Sequence, residues 1–196
     1  MAGYKGTMCL FLWEPYYNFY MNIFCTNEDP DLAAFELCDQ HVRSKMQIEG
    51  AIMLAHAFDQ EVLNHKDCPR TKLGTPRKSG KGYFNHQCSK WARESKDNFN
   101  WLVDHTLAMF EERNYRWPGS NTHHTLSFID WCYNNVHNTT ITKRGRTPFV
   151  VAIGEDCECR KNKEFNNLPT IEKYREYIRK DKPFATWTNT KKPFWY

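Results

Sequence analysis

Several features that assign proteins to common functional classes are missing from this sequence. It contains no C-x-x-C pair, so the usual spacing of zinc ligands is absent. No Gly-rich loop follows a predicted strand, which leaves nucleotide binding of the P-loop or Rossmann kind without support. No apolar run approaches the roughly 20 residues that a membrane-spanning helix needs. These absences disfavour zinc-knuckle proteins, nucleotide-cofactor enzymes and a membrane partner.

The composition that remains is typical of one globular domain. Of the 196 residues, 40% are hydrophobic and 26% are charged, which is too apolar for a disordered chain and too charged for a membrane protein. Lys and Arg (27) exceed Asp and Glu (23), and this mildly basic balance permits an anionic partner. The eight cysteines are too sparse for a disulfide scaffold. We therefore expect reduced thiols and a cytoplasmic protein.

Residues 1–20 differ from the rest of the chain. The apolar run Met8–Trp13 ends at Glu14 and Pro15, which makes it shorter than the roughly 7–15 apolar residues of a secretory signal. We interpret 1–20 as an appended N-terminal segment and 21–196 as a single helical domain. Two interpretations stay open: Met21 is the working initiator, or the segment is an ordinary extension that packs its aromatic side chains on the core.

Hydrophobic periodicity predicts a mainly α protein: a single-domain helical bundle with a short N-terminal strand or extended segment. The strand-like start is Met21–Cys25. A helix is predicted from its cap, Asp29, to about Asn64, with apolar residues every three or four positions and a bend at Gly50. Further helices are predicted over Ser89–Asn114, 121–136 and Thr170–Lys180, and Pro148–Val151 is the one strand candidate in the irregular stretch 138–168.

A mobile basic loop is predicted over residues 66–82, which have no apolar period. The loop holds six Lys or Arg against one Asp, together with two Pro and three Gly. It either attracts an anionic polymer or is a solvated loop without a partner.

Candidate catalytic groups lie in the first predicted helix. His41, Lys45 and Glu49 are each four residues apart, so on one α-helix their side chains share a stripe beside the apolar face. Partial desolvation there shifts pKa values, and a carboxylate so held acts as a general acid or base, or stabilises a developing cation. The alternative is a surface pair of i,i+4 charges worth a few tenths of a kcal/mol.

A second group of candidates lies in the helix predicted from Ser89. Trp91 and Trp101 beside Arg93 and Asn98 are the residue types of a base-stacking and phosphate-binding surface, although tryptophans at helical spacing are more often core. A metal site made from His123, His124, Cys157 and Cys159 matches no usual spacing, since adjacent histidines face different sides of a helix. We therefore expect no metal and no cofactor.

The motifs from Met21 onward resemble those of a family of short phage-encoded proteins. They comprise an M-x-I-F start (Met21–Phe24), C-D-[QK]-H-V (Cys38–Val42) with a following K-M and Glu, and H-x-C-x-x-W-x-R-E-S-x-x-N-[FY]-x-W-L (His86–Leu102). That family is in turn similar to the pyrimidine-dimer DNA glycosylase/AP-lyase of the T-even phages. The shared elements are the N-terminal strand, D-Q-H in the first helix, a Glu about two turns later, and P-x-W-Y (Pro193–Tyr196) near the C-terminus.

This resemblance implies a mainly α enzyme whose N-terminal amine attacks the sugar C1′ with help from a helix glutamate. It also implies that basic side chains hold kinked DNA and that C-terminal aromatic residues face the lesion. By position, Asn22 would supply the amine if processing exposed it, Glu49 would be the catalytic carboxylate, and His41 would orient the substrate backbone. The spacing from His41 to Glu49 is one residue longer than in the family, and a glycosylase that uses water and lacks lyase activity stays open.

Our leading hypothesis is a phage DNA-processing glycosylase, with or without lyase activity, acting on a damaged or modified pyrimidine base in the host cytoplasm. The rivals are a non-catalytic DNA-binding or host-interaction protein and an enzyme of free nucleotides. The candidate DNA-contacting residues are Gln40, Lys45, Arg70, Lys72, Arg77, Lys78, Arg93, Asn98, Arg116, Lys191 and Trp195.

Overall fold

The structure, a computed structural model, describes residues 21–120 and 124–196. Over these ranges it comprises eight α-helices and three short 3-10 turns without a β-strand, which confirms the predicted mainly α fold. None of these helices combines the length and apolarity that crossing a bilayer requires. The α-helices are α1 (Pro30–Glu36), α2 (Asp39–Arg43), α3 (Met46–Ala55), α4 (Gln60–Asn64), α5 (Gln87–Ala92), α6 (Lys96–Arg116), α7 (Leu126–Asn134) and α8 (Thr170–Asp181).

The continuous helix predicted from Asp29 to Asn64 is wrong, because the chain forms four short helices there. The predicted start is confirmed, since the Asp29 carboxylate caps α1. The first break follows α1, where Arg116 donates to the carbonyls of Phe35 and Leu37 that would otherwise continue the helix. Distant polar groups thus replace the helical N–H donors, and hydrophobic periodicity carries no information about them.

At the two later breaks, donors from outside the helix likewise bond carbonyls at or just beyond its end. At the end of α2, the side chain of Gln47 donates to the carbonyl of Val42, at 2.6 Å. After α3, the backbone N–H of Thr140 donates to Ala57, and the hydroxyl of Ser79 donates to the carbonyl of Phe58. Each carbonyl therefore has a partner without a further helical turn.

The helix predicted over Ser89–Asn114 is also divided. Ser95 caps the long helix α6 by accepting from the backbone N–H of Asn98, and the Asn98 amide donates to the carbonyl of Trp91 at the end of α5. The third predicted helix is shorter than expected in its described part, where α7 covers Leu126–Asn134. Residues 121–123 lie outside the described ranges, and α8 confirms the last predicted helix.

Neither strand candidate forms a strand. Met21–Cys25 has no regular secondary structure and is mostly buried, and Pro148–Val151 is likewise irregular. The N-terminal element is therefore an irregular segment, interrupted at Phe24 by a left-handed backbone. The appended segment 1–20 lies outside the described residues.

Helix α6 is the central element, and α1, α3 and α7 pack against it. The larger of two hydrophobic clusters includes Trp91, Phe99 and Phe128, while the smaller joins α1, α2 and the C-terminal half of α6. All seven cysteines of the described ranges are free thiols, and six of them are buried.

Gly50 has a packing role rather than the predicted bend. A Cβ placed on Gly50 would lie 2.6 Å from the Oγ1 of Thr106, so the two helices α3 and α6 approach each other where a side chain is missing. Since α3 also carries Glu49, this close approach fixes the position of the candidate carboxylate.

Candidate functional site around Asn22 and Glu49

The backbone of Asn22 meets the carboxylate of Glu49. The N–H of Asn22 donates to Oε2 of Glu49 at 3.4 Å, and the two residues come from separate parts of the fold. One is in the irregular N-terminal segment Met21–Cys25 and the other is in the first turn of α3. The structure therefore brings together the backbone nitrogen and the carboxylate that the family resemblance pairs.

The Asn22 side chain holds this nitrogen in place. Its Oδ1 accepts from the backbone N–H groups of Ile23 and Phe24, at 2.8 and 3.1 Å, and its Nδ2 donates to the carbonyl of Ala152 at 2.9 Å. Asn22 is only 2% exposed. Phe24 follows with a left-handed backbone (φ 42°), which is uncommon for a bulky residue and turns the chain sharply beside Glu49.

Glu49 lies in a partly desolvated environment with one cation nearby. Burial raises the pKa of its half-buried carboxyl, while the hydrogen bond from Asn22 and the charge of Lys45 oppose that rise. A carboxyl whose pKa moves towards neutrality exchanges a proton more readily at physiological pH. The buried thiol of Cys88, whose pKa burial raises to about 12, lies nearby and is protonated at neutral pH.

The predicted helical stripe of His41, Lys45 and Glu49 is wrong in its geometry. The helix ends at Arg43 and restarts at Met46, so His41 and Glu49 lie on different helices. Both nevertheless flank the same N-terminal segment, since the ring of His41 packs at a tilt against that of Phe24, with ring centroids 4.3 Å apart.

His41 is a buried, neutral group. It is 5% exposed, and burial lowers the pKa of its imidazole to about 3. Its Nδ1 lies 3.3 Å from the Sγ of Cys38, and its Nε2 is buried without a hydrogen-bond partner. The ring is enclosed by Phe24 and Tyr177. In this position it packs under the Asn22 segment and does not reach a DNA backbone on the surface.

Two residues predicted to contact DNA have structural roles instead. Arg116 is fully buried, where it pairs with Asp39 and Glu112 and donates to two carbonyls near the end of α1. Asn98 is also fully buried and bonds Trp91 and Thr147. The polar groups of Arg116 join α6 to α1 and α2, and those of Asn98 join α6 to the end of α5 and to Thr147, so neither side chain is available to a phosphate.

The basic loop is anchored more firmly than its composition indicates. The guanidinium of Arg77 lies 4.1 Å from the ring centroid of Phe128 and donates to the carbonyl of His124. Arg70 donates to the carbonyl of Asn64. Lys72 and Lys78 are exposed and remain suited to an anion, and Gln40 and Lys45 are exposed as well.

The C-terminal tail forms an aromatic and basic patch, which we define as Arg175, Arg179, Phe194 and Trp195. Lys191 of the same tail is exposed. Arg179 donates to the carbonyl of Trp195, and the guanidinium of Arg175 lies 5.4 Å from the Trp195 ring centroid. Phe194 is 90% exposed. Both guanidinium groups are also paired with the carboxylates of Glu36, Glu172 and Glu176. The feature of this patch that suits a nucleobase is therefore its exposed aromatic ring.

The structure also reveals a residue that the sequence reasoning missed. His56 follows α3, seven residues after Glu49, and is packed beside Arg93 and the ring of Phe84. The seven-residue spacing was the available signal, since it places two residues on one face of a helix. A separate polar cleft of about 310 Å³ is lined by Glu158, Cys159, Lys161, Asn162, Glu176 and Lys180.

Comparisons with protein-family models, with curated proteins and with solved structures find no match for this chain. Within the described ranges, no three His, Cys, Asp or Glu side chains gather in a group that would hold a metal ion. The site around Asn22 and Glu49 is therefore interpreted from its own geometry and from the motifs quoted above.

Proposed function

We propose that this chain is a DNA glycosylase that releases a damaged or modified pyrimidine base, with Glu49 as its catalytic carboxylate. The observation that carries the proposal is the 3.4 Å contact between the Asn22 nitrogen and Glu49 Oε2, at a half-buried carboxyl whose pKa burial raises. The motif resemblance supports it independently, because it pairs the same two positions. The proposal includes a phage origin and action in the host cytoplasm.

The proposed reaction begins when the target nucleotide leaves the base stack, which costs a few kcal/mol and least for a damaged or mispaired base. Glu49 then stabilises the positive charge that develops on the sugar as the bond from C1′ to the base breaks. Removal of water from the half-buried site strengthens this interaction.

Two routes complete the reaction. In the first, Glu49 takes a proton from a water molecule whose oxygen bonds to C1′, and the base leaves with the bonding electron pair and is protonated by solvent. In the second, cleavage of the Met21–Asn22 peptide bond exposes an α-amine with a pKa near 7.7–8.0. The amine nitrogen bonds to C1′ as the base leaves with the bonding electron pair. The C1′–O4′ bond then breaks, O4′ takes up a proton as the sugar ring opens, and the nitrogen forms an imine with C1′.

The intact chain favours the water route. The nitrogen of Asn22 is a peptide amide there, which is not a nucleophile, and Met21 is buried with its sulfur accepting from the Ser89 hydroxyl at 3.4 Å. Borohydride treatment during the reaction separates the routes, since it traps an imine as a covalent protein–DNA adduct and leaves the water route without one.

The substrate in this proposal is DNA, held through phosphates by exposed cations. Lys45 lies next to the site, Lys72 and Lys78 extend from the basic loop, and the C-terminal patch adds aromatic surface. Such contacts are independent of sequence and weaken as salt displaces them.

The first experiment measures free base released by the purified chain from duplexes that contain a pyrimidine dimer, uracil or a 5-substituted pyrimidine. The proposal predicts release from at least one of these duplexes and none from an unmodified duplex. The second candidate function, a non-catalytic DNA-binding protein, is favoured by the exposed aromatic and basic patch. It predicts a mobility shift of every duplex without base release.

A further inference from the structure

His56 presents an unused hydrogen-bond acceptor in the interior. Its Nε2 lies 2.9 Å from the carbonyl oxygen of Lys81. A carbonyl only accepts, so Nε2 carries the ring hydrogen and Nδ1 is a bare lone pair. His56 is 3% exposed, and Nδ1 has no hydrogen-bond partner within the described part of the chain. Buried acceptors without a partner are rare, and an unfilled ligand position is one explanation.

Arg93 supplies a positive charge beside this acceptor. Its guanidinium lies 3.8 Å from the ring centroid of Phe84, and Nη1 donates to the Phe84 carbonyl at 2.7 Å. Phe84 in turn meets His56 edge-on, with centroids 5.3 Å apart. No carboxylate of the described ranges pairs with Arg93, so its remaining N–H donors are suited to an anion.

The charge state of His56 makes its Nδ1 a hydrogen-bond acceptor and not a donor. Burial lowers the pKa of its imidazole, and the nearby charge of Arg93 lowers it further, although the Lys81 carbonyl opposes this. The ring is therefore neutral at pH 7. A ligand at this place needs an anionic group for Arg93 and an N–H donor for Nδ1.

A pyrimidine nucleotide has both groups. Its phosphate suits Arg93, while thymine and uracil carry an N3–H and cytosine an exocyclic amine that suit a buried acceptor. His56 also lies two helical turns from Glu49, on the same face of the α3 segment. The acceptor and the carboxylate thus border one side of the helix.

We propose that His56, Phe84 and Arg93 form the recognition site for the target nucleotide, in which Arg93 binds a phosphate and Nδ1 of His56 accepts a hydrogen bond from the pyrimidine N–H. The inference rests on the proposed function, because it assigns the base specificity of that same reaction. A site that pairs a substrate N–H rejects an analogue without it, since its own polar group is then left unpaired.

The test compares the full wild-type chain with His56→Gln and uses thymidine 5′-monophosphate as the probe. The glutamine amide can still donate to the Lys81 carbonyl from the place of Nε2, but it offers no acceptor at the place of Nδ1. The expected result is roughly tenfold weaker binding of the nucleotide with an unchanged unfolding transition. The N3-methyl derivative, which lacks the donor, binds both proteins equally and as weakly as the parent nucleotide binds His56→Gln.

Two results overturn the inference. One is the absence of thymidine 5′-monophosphate binding to the wild-type chain, and the other is equal affinity of wild type and His56→Gln, which would mean that Nδ1 bonds only a buried water. Nucleotide binding is measured without any reaction, so the test of the recognition site can fail while the test of base release succeeds, and the reverse. If the chain releases a base from DNA but wild type and His56→Gln bind thymidine 5′-monophosphate equally, the recognition site is refuted and the glycosylase proposal stands. If the nucleotide binds as expected but no duplex loses a base, the glycosylase proposal is refuted and the nucleotide site stands.

Discussion

The close approach of α3 and α6 at Gly50 makes Gly50→Ala a quantitative test of the packing that positions Glu49. The new Cβ would lie 2.6 Å from Thr106 Oγ1, about 0.8 Å inside the 3.4 Å at which ordinary contact begins. Thr106 is fully buried, and its hydroxyl donates to the carbonyl of Leu102 at 2.7 Å. It therefore cannot turn aside without losing this hydrogen bond, which is worth about 1 kcal/mol.

The expected net effect is a loss of about 1–3 kcal/mol in the free energy of unfolding, because the lost hydrogen bond and the helix-propensity gain of alanine, each about 1 kcal/mol, cancel. Overpacking of this kind costs about 1–3 kcal/mol, and alanine recovers about 1 kcal/mol through its higher helix propensity. Urea denaturation followed by circular dichroism measures the difference. The control repeats Gly50→Ala in a Thr106→Ala variant, which lacks the side-chain atoms that the new Cβ would meet. In that variant Gly50→Ala should stabilise the fold by up to about 1 kcal/mol. An equal cost of Gly50→Ala in both backgrounds would refute the proposed contact.

Three further predictions concern stability and binding. Asp39→Asn should cost about 3 kcal/mol in urea denaturation, because Asp39 pairs with buried Arg116 and accepts from Thr186 and Thr188, and a cost below 0.5 kcal/mol would contradict this. The folded-state pKa of His41, about 3, lies below its unfolded value. The contribution of the neutral imidazole to the free energy of unfolding is therefore complete above about pH 6.5 and is lost as the pH falls towards 3. Between pH 6 and pH 5 the free energy of unfolding of wild type should therefore fall by about 1 kcal/mol more than that of His41→Asn. Parallel curves of unfolding free energy against pH for the two proteins would show that the imidazole titrates normally. Replacing Lys72 and Lys78 together by Gln should lower the slope of log binding constant against log salt by roughly 2, and an unchanged slope would remove the basic loop from the DNA surface.

The elements that local sequence determines were predictable. Asp29 caps α1 as its type and position indicate, and α8 occupies the stretch given by its apolar spacing. The breaks after α1 and after α3 were not predictable, because they depend on partners far away in the chain. The break after α2 involves a nearby side chain, Gln47, whose bond to the Val42 carbonyl is not visible in the apolar spacing. Arg116 ends α1 from 79 residues beyond Leu37, and no pattern near Leu37 indicates it.

The candidate site was predictable in its members and not in its arrangement. The motifs paired Asn22 with Glu49, and the structure places their atoms in contact. The predicted alignment of His41, Lys45 and Glu49 on one helix face was wrong, because it required a continuous helix between His41 and Glu49. His56 was missed because its significance lies in an unpaired Nδ1, which depends on the Lys81 carbonyl and on Phe84.

The most direct test of the central claim is the single-turnover rate of base release by Glu49→Gln at saturating DNA. The conservative change keeps the size of the side chain and an acceptor for the Asn22 N–H, and Glu111→Gln on the exposed face of α6 is the matched control. The account predicts a fall of roughly 100-fold or more for Glu49→Gln, with unchanged DNA affinity, and a wild-type rate for the control. Equal rates for Glu49→Gln and wild type would contradict it.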